Sequence, residues 1–140
     1  MTAVVDIIAG AFSEKGRYDR RALSPLALAY LGDTVYDIYV RAHLVSCMPH
    51  TPNDLHRLSA RRVCAAGQAS GFRRVELMLD EEEMAVYKRG RNAHSGTLPK
   101  NASVADYHMA TGLETLIGWL WLGGDDGRVT EIMRRILEEG

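Results

Sequence analysis

A chain of 140 residues with 46% hydrophobic and 25% charged side chains has the composition of one globular domain around one core. Its net charge of −1 excludes a whole-surface attraction to nucleic acid, so any such affinity has to come from locally clustered cations. Two cysteines, Cys47 and Cys64, are too few for a disulfide framework and sit in no metal-ligand spacing.

The predicted elements are helices with short joints, so the expected fold class is all-α. A first amphipathic helix is expected over Val4 to Phe12, ending near Gly16. No positive segment precedes its apolar residues, so it does not read as a signal peptide. Ser24-Pro25 is a start signal, with serine as N-cap and proline in the first turn, for a helix running to about Val45. Thr51-Pro52 repeats that signal after the loop around Met48 to His50. The helix it opens is expected to reach Ala69, or Leu79 with a break near Gly71. Asp80 caps the next helix, and Glu81, Glu82 and Glu83 suit its positive dipole end as an exposed acidic start. From about Gly90 to Ala102 the helical pattern lapses. Ser103 restarts it as far as Leu122, Gly123-Gly124 ends it, and Arg128 to Glu138 makes a last helix. The run from Leu113 to Leu122 contains Glu114 and is too short to span a bilayer, so no membrane partner is expected.

The second helix carries the first chemical signal. At about 100° per residue, Leu28, Leu31, Val35, Ile38 and Ala42 cluster on one side, and Leu26, Tyr30, Asp33, Tyr36, Asp37, Val40 and Leu44 on the other. Two apolar faces predict a helix buried all round, and an ionised carboxylate there needs a cation, a donor or water. The second signal is Glu114, at the margin of the arc Met109, Leu113, Leu116, Ile117 and Leu120. Two carboxylates from separate helices are a start for a magnesium site, which takes carboxylates, waters and phosphate oxygens. The competing reading is one buried aspartate with polar partners and one ordinary boundary glutamate. The stripe carrying Tyr36 and Val40 is the candidate subunit surface, with packing inside one chain as its alternative. Trp119 and Trp121 read as core or subunit contact. The five histidines form no paired zinc-ligand set.

Cations cluster in one stretch. Lys88, Arg89, Arg91, His94 and Lys100 come with the small polar residues Asn92, Ser95, Thr97 and Asn101, and no acid falls between Lys88 and Lys100. Double-stranded RNA is held mainly through phosphates and 2′-hydroxyls, which this composition suits; a solvated loop is the plain alternative. Arg57 and Arg61, on one helix face with His56 and Arg62 nearby and Arg73 and Arg74 further on, make a second basic group, either tracking a phosphate strand or merely solvated.

Leu31-Gly32-Asp33 with Val35, and later Leu113-Glu114-Thr115-Leu116-Ile117-Gly118, resemble the two signature segments of the ribonuclease III catalytic domain. Leu55 to Val63 looks like that family's third helical segment. Lys88 to Gly96 with Pro99-Lys100-Asn101-Ala102 is similar to the Mini-III branch, which lacks a double-stranded-RNA-binding domain. The resemblance covers about residues 22 to 138 of a single domain spanning 1–140. It implies a homodimeric, all-helical endoribonuclease that cuts double-stranded RNA with magnesium and leaves 5′-phosphates; Cys47 and Cys64, read as reduced thiols, point separately to a cytoplasmic protein. It further implies precursor large-subunit ribosomal RNA as substrate, with a ribosomal protein as a conceivable partner. Asp33 and Glu114 match the metal-binding, catalytic acids. The general family pattern also has acids where this chain has Ala29 and Thr111, absences shared by the Mini-III branch. Asp37 and Asp106 are the outer-shell candidates. The rival readings are a catalytically inactive ribonuclease III-like RNA-binding or ribosome-assembly scaffold, and an unrelated helical metal phosphohydrolase.

Overall fold

The computed structural model describes residues 2–12, 18–47, 51–93 and 103–138. Seven α-helices occur among them: α1 (Val4–Phe12), α2 (Pro25–Cys47), α3 (Pro52–Val63), α4 (Ala65–Val75), α5 (Glu81–Arg91), α6 (Val104–Leu122) and α7 (Asp126–Leu137). No strand is found among the described residues, as an all-α fold requires.

Local capping chemistry sets most of the starts. Ser24 Oγ accepts from the Ala27 amide at 3.1 Å, Thr51 Oγ1 from Asp54 at 3.2 Å and Ser103 Oγ from Asp106 at 3.0 Å. Each satisfies one amide that the first turn leaves without a helical partner. Asp80 and Glu83 form a reciprocal capping box. Glu83 is nevertheless only 4% exposed, so the acidic start is not wholly a solvated face. Arg128 grips both Glu83 oxygens, at 2.7 Å from Nε and 2.8 Å from Nη2. Its Nη2 also donates to the Met78 carbonyl at 2.7 Å, which ties α7 to α5.

Three boundaries differ from the sequence expectation. The break after α3 falls at Cys64, whose thiol caps α4 by accepting from the Gly67 amide at 3.4 Å. Gly71, expected to break the helix, lies inside α4 with Ile136 and the Tyr36 hydroxyl pressed against it. It is there for closeness rather than for a turn. The last helix starts at Asp126, earlier than Arg128, because Asp125 accepts from the Arg128 amide at 3.2 Å.

The helix surrounded on every side is α6, not α2. Ala110 to Leu113, Thr115 to Leu120 and Leu122 are all buried, against α2, α4, α5 and α7. Along α2, Leu28, Val35, Tyr36 and Val40 are buried, but Tyr30 is 80%, Ile38 60% and Val45 63% exposed. The expectation of a fully buried α2 therefore fails on one face. Tyr36 and Val40, the candidate subunit stripe, pack within the chain, and the Tyr36 hydroxyl donates to the Arg62 carbonyl at 3.1 Å. Trp119 is a core residue covered by the Arg20 guanidinium, 3.9 Å from its ring centroid.

Candidate active site at the crossing of α2 and α6

The closest approach of α2 and α6 is made by Gly32 and Gly118. A Cβ on Gly32 would lie 1.7 Å from the Glu114 carbonyl oxygen, and one on Gly118 would lie 2.0 Å from that of Leu28. The two backbones therefore touch without side chains between them, which only glycine permits. Asp33 follows Gly32 directly, and Glu114 stands one turn before Gly118. The crossing thus brings the two acids together. Asp33 is exposed and Glu114 partly buried, with the Asp33 carboxyl group close enough to act on the ionisation of Glu114.

The electrostatics follow from that contact. The Glu114 carboxyl is pushed up to about 8, first by burial and then by Asp33, against a hydrogen bond from Gln68 that favours ionisation. Two acids this close share a proton or accept a cation between them. Magnesium is commonly held through one or two carboxylates, with water and substrate phosphate completing the shell. The residues fit such an ion: two carboxylates facing each other and a buried amide oxygen on Gln68 with no hydrogen-bond partner. No group of three or more His, Cys, Asp or Glu suited to a metal occurs among the described residues.

Gln68 was missed in the sequence reading. It lies on the inward stripe of α4 with Ala69, Phe72 and Val75, all buried. Its Nε2 donates to the Val63 carbonyl at 3.0 Å and to Glu114 Oε2 at 3.4 Å. An amide at a core position of an apolar stripe is the signal that would have flagged it.

The other expected site residues that are described lie on α2, α3, α5 and α6 or cap α5. Asp37 pairs with Arg41 at 2.9 Å, and Asp106 with Arg73 at 3.7 Å. The side chains acting on Glu114 are Asp33 and Gln68. Ala29 and Thr111 are both buried, and the Thr111 hydroxyl donates to the Tyr107 carbonyl of its own helix at 3.0 Å. Neither position supplies a carboxylate.

Lys88 and Arg89 are exposed in the last turn of α5, and Asn92 caps it. Arg91 is partly buried: its Nε donates to Asn92 Oδ1 at 3.2 Å, and its carbonyl accepts from His108. Arg57 and Arg61 are exposed on α3, with Arg57 3.2 Å from Asp54. Arg74 donates to the Ile136 and Glu138 carbonyls at the end of α7, which makes it a helix cap rather than a free cation. His94, Ser95, Lys100 and Asn101 lie outside the described residues.

Residues 26–125 match the Ribonuclease III domain, a span that contains both acids and the helices that carry them. The chain belongs to the ribonuclease III family. It is 44% identical over 122 residues to a Mini-ribonuclease 3 from Clostridium tetani, covering 86% of this chain and 81% of that one. A Mini-ribonuclease 3 from Enterococcus faecalis is 47% identical over 117 residues, with 82% and 89% covered. A crystal structure of a Fusobacterium nucleatum protein superposes with a TM-score of 0.75 at 28% identity, over 81% of this chain and 91% of the other. These likenesses bear out the resemblance to the Mini-III branch and identify an endoribonuclease of the ribonuclease III family.

Proposed function

We propose that this chain is a magnesium-dependent endoribonuclease that cuts double-stranded RNA, with a precursor of large-subunit ribosomal RNA as its substrate. The observation that supports it most is the meeting of Asp33 and Glu114 where α2 and α6 touch. When bound there, magnesium would polarise the scissile phosphate and lower the pKa of a coordinated water. Asp33 and Glu114 would hold it. The chain's own part is positional. The Gly32–Gly118 contact fixes the separation of the acids, Gln68 steadies Glu114 with a hydrogen bond, and Asp33 faces outward toward substrate. Hydrolysis adds water across one phosphodiester, leaving a 5′-phosphate on one fragment and a 3′-hydroxyl on the other.

RNA contacts fall to the exposed end of α5, with Lys88, Arg89 and Asn92, and to Arg57 and Arg61 on α3. Arg91, His94, Ser95, Lys100 and Asn101 belong to the same proposed surface. Asp37 and Asp106 remain proposed as outer-shell groups. The active form is a homodimer. Supporting this is the apolar face that α2 leaves bare, where Leu26, Tyr30, Ile38 and Val45 recur at three- and four-residue steps with Thr34 and Ala42 between. Such a dimer would present one site to each RNA strand. The cytoplasm is the compartment of such a substrate, and a ribosomal protein presenting the precursor is a compatible partner. Among the described residues, no helix is long and apolar enough to cross a membrane.

The inactive-scaffold reading is favoured by one observation, the absence of acids at Ala29 and Thr111. Incubating purified protein with an RNA duplex, with and without magnesium, and mapping the ends separates the two. Magnesium-dependent cuts with 5′-phosphates support the nuclease; retained duplex binding with no cleavage supports the scaffold.

A further inference from the structure

Gln68 is 3% exposed, and its oxygen Oε1 is buried without a hydrogen-bond partner. A primary amide brings two N–H donors and one oxygen acceptor. Here Nε2 meets the Val63 carbonyl and Glu114 Oε2. Turning the amide over would set its oxygen against the Val63 carbonyl, which can only accept, so the orientation is fixed by chemistry. A buried oxygen left unsatisfied is unfavourable, and an apolar side chain of the same size would fill the space without that penalty. The orphan oxygen belongs to the same amide whose Nε2 reaches Glu114 Oε2. A hydrated divalent cation presents water O–H groups, the donors this oxygen lacks.

We propose that Gln68 is an outer-sphere ligand of the ion held by Asp33 and Glu114, with Nε2 fixing Glu114 and Oε1 accepting a hydrogen bond from a water on the ion. The inference rests on the metal-site reading above. It makes Gln68 a positioning residue whose loss weakens the ion itself, and not only the packing between α4 and α6.

The test is Mn2+ binding to the full chain without RNA, followed by electron paramagnetic resonance. It compares wild type, Gln68→Met, Gln68→Leu and Asp33→Asn, with a folding check by circular dichroism. Outer-shell partners typically matter by about 10–100-fold in metal affinity, so Gln68→Met should weaken Mn2+ binding by about tenfold or more. Gln68→Leu removes the same two polar ends with a different apolar shape, so it should weaken binding to the same degree. A folded Gln68→Met whose affinity falls by less than about fivefold overturns the assignment and leaves Gln68 a strut for the Val63 carbonyl. If Gln68→Met does not fold, Gln68→Leu decides: a loss of less than about fivefold overturns the proposal, and a larger loss supports it. Asp33→Asn separates the two layers. Unchanged affinity there overturns the shared metal site and this inference with it. Loss on Asp33→Asn with no loss on Gln68→Met overturns only the role of Gln68.

Discussion

Replacing Glu114 by glutamine removes a charge from the α2–α6 crossing while keeping the shape of the side chain, and the consequence for the metal-free chain has a definite sign. The folded-state pKa of Glu114 is raised from 4.5 to about 8 because burial and the adjacent Asp33 both disfavour its ionised form. Below about pH 4.5 the folded and unfolded chains both hold the proton, and its stabilising effect is fully present. As pH rises, the unfolded chain releases the proton first, so stability drains away until pH passes the folded value near 8. At about 1.4 kcal/mol per pH unit the ceiling is about 5 kcal/mol. Solvent at the rim reduces the expected loss to about 2 kcal/mol, which is about 4–8 °C in unfolding midpoint. The assay is thermal unfolding in chelator across that range for wild type and Glu114→Gln. The wild type should lose stability relative to the variant as pH rises, and magnesium should restore the wild type alone. Parallel pH curves, or equal stabilisation of both proteins by magnesium, would refute the reasoning.

Other outcomes follow from the same contacts. Arg128→Ala strands the buried Glu83 carboxylate, a change that costs about 3–5 kcal/mol; chemical denaturation checks it. The same pair holds the Glu83 pKa below its usual 4.5, chiefly through its hydrogen bonds to Arg128, so its stabilisation is present above that value and is lost as pH falls. Gly118→Ala sets a Cβ 2.0 Å from the Leu28 carbonyl and should cost about 3 kcal/mol while separating Asp33 from Glu114; wild-type stability and cleavage in this variant would contradict the close crossing. Alanine at Arg61 or Arg89 should weaken duplex RNA binding and lower the slope of log affinity against log salt by about one per lost phosphate contact, measured by filter binding across a salt series.

Much of the fold was legible because its punctuation is local. Ser24, Thr51, Asp80 and Ser103 each cap a helix with their own side chains, and no distant contact is needed to predict that. The Cys64 break was not legible, since a thiol is an uncommon cap and Gly71 offered a more familiar breaker. Gly71 turned out to answer to Ile136, a residue far along the chain. Which face of α2 stays bare was equally hidden, because α6 covers only one side of a helix whose apolar residues run all round. At the site, the residues alone left a shared magnesium site and two unrelated acids both open, and the family resemblance favoured the pairing. Its physical cause is the pair Gly32 and Gly118, each beside or one turn from an acid. Gln68 needed the tertiary structure: only the packing of α4 on α6 shows an amide with one end satisfied and the other bare.

The central claim is that one ion is shared by α2 and α6, and iron-directed backbone cleavage tests it most directly. Fe2+ loaded in place of magnesium, with ascorbate and peroxide, cuts the polypeptide near wherever the metal sits. The account predicts two sets of cuts, around Gly32 to Thr34 and around Leu113 to Thr115, both lost in Asp33→Asn and both suppressed by excess magnesium. Cuts confined to one of these helices, or cuts elsewhere that survive Asp33→Asn, would contradict it.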